Sequence, residues 1–291
     1  MKKDIFSLSE KFEKVSKEAR EIFNLWNYRE VFLPSIEAFN PHLRKGLKFA
    51  YNNKFYLIKP DLTSQVSLYA KKKNLRVFYI SEVLKDSVKG EWQLGAELLN
   101  GKDISMHIEM LMIIISLLEL MNIKEFYIDV GSLQIWKNEI GGNKELEEKV
   151  VESLRKRNFE IIETLPISKN KKENLWHLFN FRGRDTNYEK LKNIVDVLND
   201  KRIFIDFGTV RPLPYYNDII FEIYSSKIGY YIGGGGDYLI NGRKCIGFGL
   251  NLKALSLLSK STKKEKRTVV HNYREAFSLV KNHTPIEVKD E

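Results

Sequence analysis

The segment from Arg76 to Leu99 constrains the fold most, because it reads as a strand, a polar loop and a second strand. In the second strand Leu94, Ala96 and Leu98 follow Trp92 on one face, and the other face carries Gln93, Gly95 and Glu97. Gln93 and Glu97 therefore point the same way, with a gap free of side chains at Gly95. An amide, a carboxylate and bare backbone on one face suit a small ligand that carries donor groups. The alternative is a half-solvated strand whose outer face is simply polar.

The composition is that of a folded globular protein with a basic surface. The 291 residues suffice for one large domain or two smaller ones, and 43% apolar with 12% aromatic residues argue against disorder. The net charge of +10 allows a nucleic acid or an acidic protein as partner. Much of the excess lies in lysine runs, which are usually solvated surface, and no nucleic-acid-binding motif is recognised. The charge alone supports solubility better than RNA binding.

Cysteine usage and hydropathy predict a cytoplasmic protein. Cys245 is the single cysteine, so no internal disulfide and no cysteine-based metal cluster is possible. The N-terminal stretch is basic at its start but has no uninterrupted apolar run, and we expect no signal peptide. The most apolar run, Ile108 to Met121, is short for a bilayer span and contains Glu109 and Glu119. It is better interpreted as a buried helix than as a membrane segment.

The order of the elements predicts an α+β fold with a mostly antiparallel sheet. Helices are expected at 7–26, 61–70 and 104–121, and from about 251 to 258. The first strand is expected within 28–37 and ends at Pro34, and the segment 76–99 forms a hairpin of two strands. Further strands are expected at 55–58, 124–130, 203–207, 218–224, 229–232 and 245–250, with a turn at Asn241-Gly242. Residues 1–131 and 201–259 would form one core in two parts. A small helical insertion would occupy 132–200, and a charged C-terminal tail 260–291.

Common catalytic and metal motifs are missing. Gly233 to Gly236 is not followed by Gly-Lys-Ser/Thr, and Leu252 stands where a dinucleotide fingerprint has its third glycine. The five histidines are scattered without ligand spacing, and no nucleophile triad is recognised. We therefore predict no metal, no cofactor and no catalytic residue of these types.

The segment from Thr209 to Phe221 (TVRPLPYYNDIIF) places Arg211 in a loop between strands. Prolines stiffen this loop, and a guanidinium held in this way can grip a carboxylate with two parallel hydrogen bonds. Tyr215 and Tyr216 could supply a ring wall and hydroxyl groups. The alternative is a turn with a surface arginine and two packed tyrosines.

Together these segments resemble histidyl-tRNA synthetases and, more closely, their non-charging relatives, the regulatory subunits of ATP phosphoribosyltransferase. Residues 58–63 (IKPDLT) are similar to the family's Leu-Arg-Pro-Glu-x-Thr, and Gln93 to Glu97 (QLGAE) matches Gln-x-Gly-x-Glu. Residues 210–216 (VRPLPYY) match the histidine-specific Val-Arg-Gly-Leu-Asp-Tyr-Tyr signature, and Gly-Gly-x-x-Asp237 is similar to the Gly-Gly-Arg-Tyr-Asp that follows it. The resemblance covers about 30–258 and implies the class II aminoacyl-tRNA synthetase catalytic core.

The departures from the family pattern concern catalysis. In the synthetases the loop of this hairpin carries an arginine that grips the ATP α-phosphate, whereas this chain has Leu84 and Lys85. A later arginine, in Gly-Leu-Asp-Arg-Leu, is replaced by Ala254. Lysine does not reproduce the planar fork of arginine, and alanine offers no donor. The resemblance thus implies that amino-acid recognition is kept and activation is lost.

The resemblance implies a non-catalytic regulatory subunit. It would join the short-form catalytic subunit of ATP phosphoribosyltransferase in a hetero-octamer, enable the first step of histidine biosynthesis and transmit allosteric histidine feedback. The chain would pair with a second copy through its N-terminal helix and the strand at Tyr28 to Leu33. Binding of tRNA is not expected.

The resemblance also implies a histidine-binding site. Glu97, Gln93 and Asp61 would receive the amine and imidazole donors of the ligand, and Thr63 would assist at its amino group. Arg211 would lie near the carboxylate, and Tyr215 and Tyr216 would wall the ring. Three alternatives stay open: a histidyl-tRNA synthetase-like enzyme that activates an amino acid, an RNA-binding paralogue, and a structural homodimer with a vestigial pocket.

Overall fold

A computed structural model describes residues 5–39, 46–59, 61–69, 74–84, 90–101, 103–209, 216–240, 242–260 and 267–289. Its helices are α1 (Ile5–Leu25), α2 (Thr63–Tyr69), α3 (Asp103–Leu120), α4 (Leu133–Ile140), α5 (Lys144–Lys156), α6 (Glu160–Glu163), α7 (Lys169–Asn180), α8 (Glu189–Leu198), α9 (Leu252–Leu258) and α10 (Tyr273–Lys281). Its strands are β1 (Arg29–Glu30), β2 (Ile36–Ala38), β3 (Leu47–Tyr51), β4 (Lys54–Ile58), β5 (Leu75–Leu84), β6 (Gly90–Leu99), β7 (Tyr127–Ser132), β8 (Arg182–Gly183), β9 (Ile203–Asp206), β10 (Tyr216–Tyr224), β11 (Gly233–Ile240), β12 (Arg243–Asn251), β13 (Thr268–Val270) and β14 (Ile286–Val288). None of the helices in these ranges is long and apolar enough to cross a membrane.

A nine-stranded sheet forms the centre of the fold, in the order β1-β5-β6-β12-β11-β10-β7-β9-β8. Adjacent strands of this sheet are antiparallel except for the pairs β1–β5 and β7–β9, which are parallel. The α+β class and the mostly antiparallel sheet predicted from the sequence are confirmed. Strands that are far apart in the chain lie side by side, since β12 pairs with β6.

One face of this sheet packs against α1, α3 and α9. Phe23 of α1 stacks on Phe78 of β5, with ring centroids 4.3 Å apart, and Leu94 and Ala96 of β6 are fully buried in the same core. Helix α3 is apolar around much of its circumference, which is typical of a helix that is covered by protein on several sides. The apolar alternation of β6 therefore faces the helices, and Gln93, Gly95 and Glu97 face the other side.

Two strand predictions are wrong in their bounds. The strand expected at 229–232 begins instead at Gly233, and the glycine run itself is strand β11. Glycine is required there because a Cβ at Gly235 would lie 2.0 Å from the carbonyl oxygen of Gly247 on β12. The strand expected at 28–37 is divided into β1 and β2 by a stretch that contains Pro34, and β2 joins β4 and β3 in a separate three-stranded sheet.

The segment 132–200 contains the five helices α4 to α8 and the short strand β8. Its apolar side chains belong to the main core, among them Val150, Ile162 and Leu175. The indole Nε1 of Trp136 donates to the carbonyl of Phe207 at 2.7 Å, which ties α4 to the end of β9. The predicted division of the chain into two core parts and an insertion stays a prediction.

Residues 260–291 form a second compact unit. The sequence suggested a charged tail here, but β13 and β14 pair in parallel and α10 lies between them in the chain. Val270 and Ala276 are buried, so the few apolar residues between the charges suffice for a small β-α-β structure.

Candidate ligand site on the polar face of the sheet

The polar face of β6 is shaped by glycines on the neighbouring strand β12. Glu97 lies opposite Gly247, and Gln93 lies opposite Asn251, two residues beyond Gly249. A Cβ at Gly247 would lie 1.7 Å from Glu97 Oε2, and one at Gly249 would lie 1.5 Å from Gln93 Nε2. Both side chains therefore lie across β12, in space that any larger residue on that strand would fill.

Three hydroxyl groups bind the Glu97 carboxylate. Thr63 Oγ1 donates to Oε1 at 2.6 Å, and the phenol of Tyr79 donates to the same oxygen at 3.3 Å. The phenol of Tyr238 donates to Oε2 at 2.6 Å. Glu97 itself is 0% exposed, so its hydrogen bonds come from inside the protein.

Burial raises the pKa of Glu97 from its ordinary 4.5 to about 8, because a charge removed from water is unfavourable. The negative charge of Asp61 raises this pKa further, whereas the hydrogen bonds from Thr63, Tyr238 and Tyr79 lower it. The group is thus poised to gain or lose a proton near neutral pH, as is common in functional sites.

The gap predicted at Gly95 is filled. Tyr79 lies opposite Gly95 on β5, and a Cβ at Gly95 would lie 2.5 Å from the Tyr79 hydroxyl oxygen. The absence of a side chain at Gly95 therefore makes room for a tyrosine of the adjacent strand. The expectation of open backbone between Gln93 and Glu97 was wrong, because alternation along one strand does not reveal what the next strand inserts.

Asp61 and Thr63 lie at the start of α2. Asp61 Oδ1 accepts the backbone N–H of Ser64 at 2.8 Å, which satisfies one of the free amides of the first turn. Thr63 is the first residue of the helix, and its hydroxyl reaches Glu97. The structure thus brings Asp61 and Thr63 to Glu97, as the sequence predicted, and gives Asp61 a structural role as well.

Tyr216, the first residue of β10, lies over the glycine strand. A Cβ at Gly236 would lie 2.9 Å from Cδ1 of the Tyr216 ring, and Gly236 pairs with Gly247 beneath Glu97. Tyr216 therefore lies on the same sheet face as Glu97. Arg211, Tyr215 and Lys85 lie outside the described residues.

Asp237 belongs to the opposite face of the sheet. It accepts the backbone N–H of Ile219, and Asn217 Nδ2 donates to its Oδ2 at 3.2 Å. The Nε2 atom of the buried His107 on α3 lies 3.5 Å from Asp237 Oδ1. Asp237 thus anchors the beginning of β10.

Lys59 is a further polar residue that sequence reasoning missed. It is 1% exposed, and its ammonium donates to the carbonyl of Leu33 at 3.2 Å and to Ser81 Oγ at 2.9 Å. Burial lowers its pKa, against the opposing charge of Glu37. Since Ser81 lies opposite Gln93, Lys59 supports the strand next to the Gln93 end of the site.

Ala254 occupies the position of the family's second arginine and carries no charge. Ala254 is 0% exposed in the first turn of α9, and its N–H donates to Oδ1 of Asn251 at 3.0 Å. A methyl group packed in this way offers no donor to a phosphate. Among the described residues, no group of three His, Cys, Asp or Glu side chains is arranged to hold a metal ion.

Sequence reasoning also missed Tyr79 and Tyr238. The alternation of β5 places Tyr79 between Val77 and Ser81, which is the only local signal that it shares a face with a polar strand. Tyr238 has no such signal, because it lies 141 residues from Glu97 in the chain. Only the register of β11 and β12 brings it to the carboxylate.

Comparison with known proteins identifies the family of this chain. The model of the family described as histidyl-tRNA synthetase matches residues 7–195 and 180–255. The chain belongs to the histidyl-tRNA synthetase family. The resemblance drawn from the motifs is thereby confirmed.

Two curated relatives illustrate the two branches of this family. The ATP phosphoribosyltransferase regulatory subunit of Bacillus licheniformis is 25% identical, over 90% of this chain and 81% of the relative. The histidine–tRNA ligase of Methanocaldococcus jannaschii is 26% identical, over 77% of this chain and 64% of that enzyme.

Solved structures share the fold. The chain superposes on an ATP phosphoribosyltransferase regulatory subunit/histidyl-tRNA synthetase from Bacillus halodurans with a TM-score of 0.79 and 19% identity, covering 97% of this chain and 89% of that one. It also superposes on a chain of the ATP phosphoribosyl transferase (HisG:HisZ) complex from Thermotoga maritima with a TM-score of 0.69 and 22% identity, covering 83% and 96%. At these identities the likeness establishes the fold.

Proposed function

We propose that this chain is the non-catalytic regulatory subunit of ATP phosphoribosyltransferase. Several Bacillus relatives bear that name, including those of Bacillus licheniformis and Bacillus subtilis. One structural observation supports the proposal: Thr63 donates to Glu97 on the polar face of the sheet, while the buried Ala254 offers no donor where the synthetases have an arginine. Losing donors aimed at phosphate charge costs orders of magnitude in rate.

The polar face is the proposed binding site for L-histidine. Glu97, Gln93 and Asp61 receive the donors of the amino group and the imidazole, and Thr63 assists at the amino end. Arg211 lies near the carboxylate of the ligand, and Tyr215 and Tyr216 form the wall for the ring. The glycines of β12 support this assignment, because they leave Gln93 and Glu97 the space to lie flat along the sheet.

The proposed assembly contains this chain as a dimer, paired through α1 and the region of β1, and the short-form catalytic subunit in a cytoplasmic hetero-octamer. Feedback is then a coupling free energy between the histidine site and the catalytic centre of the partner. Histidine lowers phosphoribosyl transfer only if it binds the two states of the complex with different affinities.

Co-expression with the cognate short catalytic subunit tests the function. The two chains are expected to co-purify, phosphoribosyl transfer from the catalytic subunit is expected to rise when this chain is present, and added histidine is expected to reduce it. Glu97→Gln should weaken the response to histidine, whereas Glu148→Gln, a change at an exposed position of α5, should not. A catalytic subunit that is equally active with and without this chain would contradict the proposal.

A histidyl-tRNA synthetase-like enzyme is the second candidate, because the Methanocaldococcus jannaschii relative is named a histidine–tRNA ligase. Histidine-dependent exchange between ATP and pyrophosphate distinguishes the two. Exchange at the rate of ordinary synthetases would establish the enzyme. The regulatory subunit is expected to give none above background, since Ala254 cannot stabilise phosphate charge.

A further inference from the structure

Tyr238 lies outside the motif positions that the family resemblance assigns, yet it makes one of the two shortest hydrogen bonds to Glu97. It stands opposite Cys245 on β12, and Glu97 stands opposite Gly247. The phenol therefore crosses β12 diagonally, which is possible because Gly247 has no side chain. Its hydroxyl is 2.6 Å from Glu97 Oε2.

The three hydroxyls leave little of the carboxylate unoccupied. An ionised carboxylate has about four lone-pair positions. Oε1 accepts from Thr63 and Tyr79, and Oε2 accepts from Tyr238. One lone-pair position, on Oε2, has no hydrogen-bond donor among the described residues. A ring N–H needs one acceptor position, whereas a guanidinium that binds in the bidentate manner needs two.

Within the described residues, the groups that face Glu97 include no cation. They are the Thr63 hydroxyl and the Asp61 carboxylate from the start of α2, the phenols from β5 and β11, and the Cys245 thiol from β12. Burial and the charge of Glu97 raise the pKa of Tyr238 well above its ordinary value, so its phenol keeps its proton and donates. The ionised form of Glu97 therefore depends on these hydroxyl donors.

We propose that Tyr238 is a positioning and specificity-determining residue, which fixes Glu97 as an acceptor for a single ring N–H of the ligand. The proposal rests on the proposed histidine site. The role of Tyr238 adds a selectivity to that site. The site accepts a ligand side chain with one imidazole-type N–H donor and rejects a guanidinium, because hydroxyl groups already occupy three of the lone-pair positions of the carboxylate.

Calorimetry on the full chain, with L-histidine and L-arginine as probes, tests the proposal. In Tyr238→Phe the affinity for L-histidine is expected to fall about tenfold to a hundredfold, the usual effect of losing a hydrogen bond to a charged group. The ratio of the affinities for L-histidine and L-arginine should also fall. Tyr51→Phe is the matched control, because Tyr51 is 64% exposed on β3. Urea unfolding of each variant verifies that it is folded.

A second measurement separates positioning from a merely structural role. In the ligand-free protein, the carbon-13 signal of the Glu97 carboxyl should titrate near its pKa of about 8 and shift to higher pH in Tyr238→Phe, because a hydrogen bond that lowers this pKa is lost. Tyr79→Phe, which removes a longer bond of 3.3 Å, should shift it less. Tyr51→Phe should leave it unchanged.

The two proposals can fail separately. If the parent chain binds L-histidine and Tyr238→Phe binds it equally well with an unshifted Glu97 titration, the role of Tyr238 is wrong and the histidine site stands. If the parent chain does not bind L-histidine, the proposed histidine site is wrong, and so is the proposed role of Tyr238 in selecting that ligand.

Discussion

Glu97 is a buried carboxylate that lowers the stability of the native state when it is ionised. Burying a carboxylate is unfavourable, and within the described part of the chain hydroxyl donors, without a cation, offset the cost. The result is an acid whose pKa lies near 8. Such an acid weakens the native state as it ionises, which gives its role a thermodynamic signature.

The pH dependence of stability follows from this raised pKa. Between 4.5 and about 8 the native chain holds a proton at Glu97 that the unfolded chain has lost, so the free energy of unfolding falls as pH rises through this window. One such group contributes a slope of at most about 1.4 kcal/mol per pH unit. Urea unfolding between these two pH values should show the slope.

Glu97→Gln should remove this part of the slope, because the amide does not titrate. The variant is expected to be as stable as the parent near the lower end of the window and more stable at its upper end. Glu148→Gln is the control, since that side chain is exposed on α5. An unchanged slope in Glu97→Gln would show that Glu97 ionises as it does in water.

At the scale of elements, the glycines of β11 and β12 decide which side chains can cross the sheet. Gly247 lies beneath Glu97, and Gly235 and Gly236 allow β11 to approach its neighbours closely. These positions do not serve turns. They serve close approach, which is the other common reason for glycine inside a strand.

Gly247→Ala should therefore displace the Glu97 carboxylate and break its hydrogen bonds, because the new Cβ would lie 1.7 Å from Oε2. We expect a loss of about 1–3 kcal/mol in the free energy of unfolding, typical of overpacking, together with a loss of histidine affinity in calorimetry. Gly229→Ala is the control, since nothing lies within 4 Å of a Cβ there. Equal behaviour of the two variants would contradict the role of the glycine strand.

Helix α5 offers a test at the same scale that should leave the site untouched. Asn143 caps this helix by accepting the N–H groups of Glu145 and Leu146 at 3.1 and 3.2 Å. Asn143→Ala is expected to lower the free energy of unfolding by about 1 kcal/mol. Histidine affinity should stay at the value of the parent, and a large change in affinity would mean that the segment 132–200 takes part in binding.

At the scale of the whole molecule, the sheet assembles the site from segments that are distant in the chain. Thr63, Glu97 and Tyr238 meet at one carboxylate although they belong to α2, β6 and β11. The net charge of +10 also acts at this scale, because it favours loose association with any polyanion.

This charge predicts how the chain behaves toward tRNA. We expect no specific binding of tRNA. Weak non-specific binding at about 50 mM salt should disappear by about 200 mM, since non-specific phosphate contacts release counterions and are steeply salt-dependent. Fluorescence anisotropy with a labelled histidine tRNA and an unrelated tRNA would measure it. Tight binding of the histidine tRNA alone at the higher salt would instead support an RNA-binding paralogue.

The sequence alone predicted much of the fold. Alternation in β6 and the apolar run of α3 are local signals, and both elements lie within a few residues of their expected bounds. Strand β11 was misplaced because a run of glycines is typical of loops, and only its packing against β12 makes it a strand. The motifs around Asp61, Thr63 and Glu97 predicted residues that do come together, since each belongs to a short segment with its own pattern.

What the sequence by itself determined is the class of the fold, the family and the polar side of the Gln93–Glu97 strand, because these depend on local periodicity and on short motifs. The tertiary structure alone decided that Tyr79 fills the space at Gly95 and that Tyr238 reaches Glu97. Both depend on the register between strands, and register is set by pairing across the sheet. The environment that raises the pKa of Glu97 is therefore a property of the folded sheet and not of any one segment.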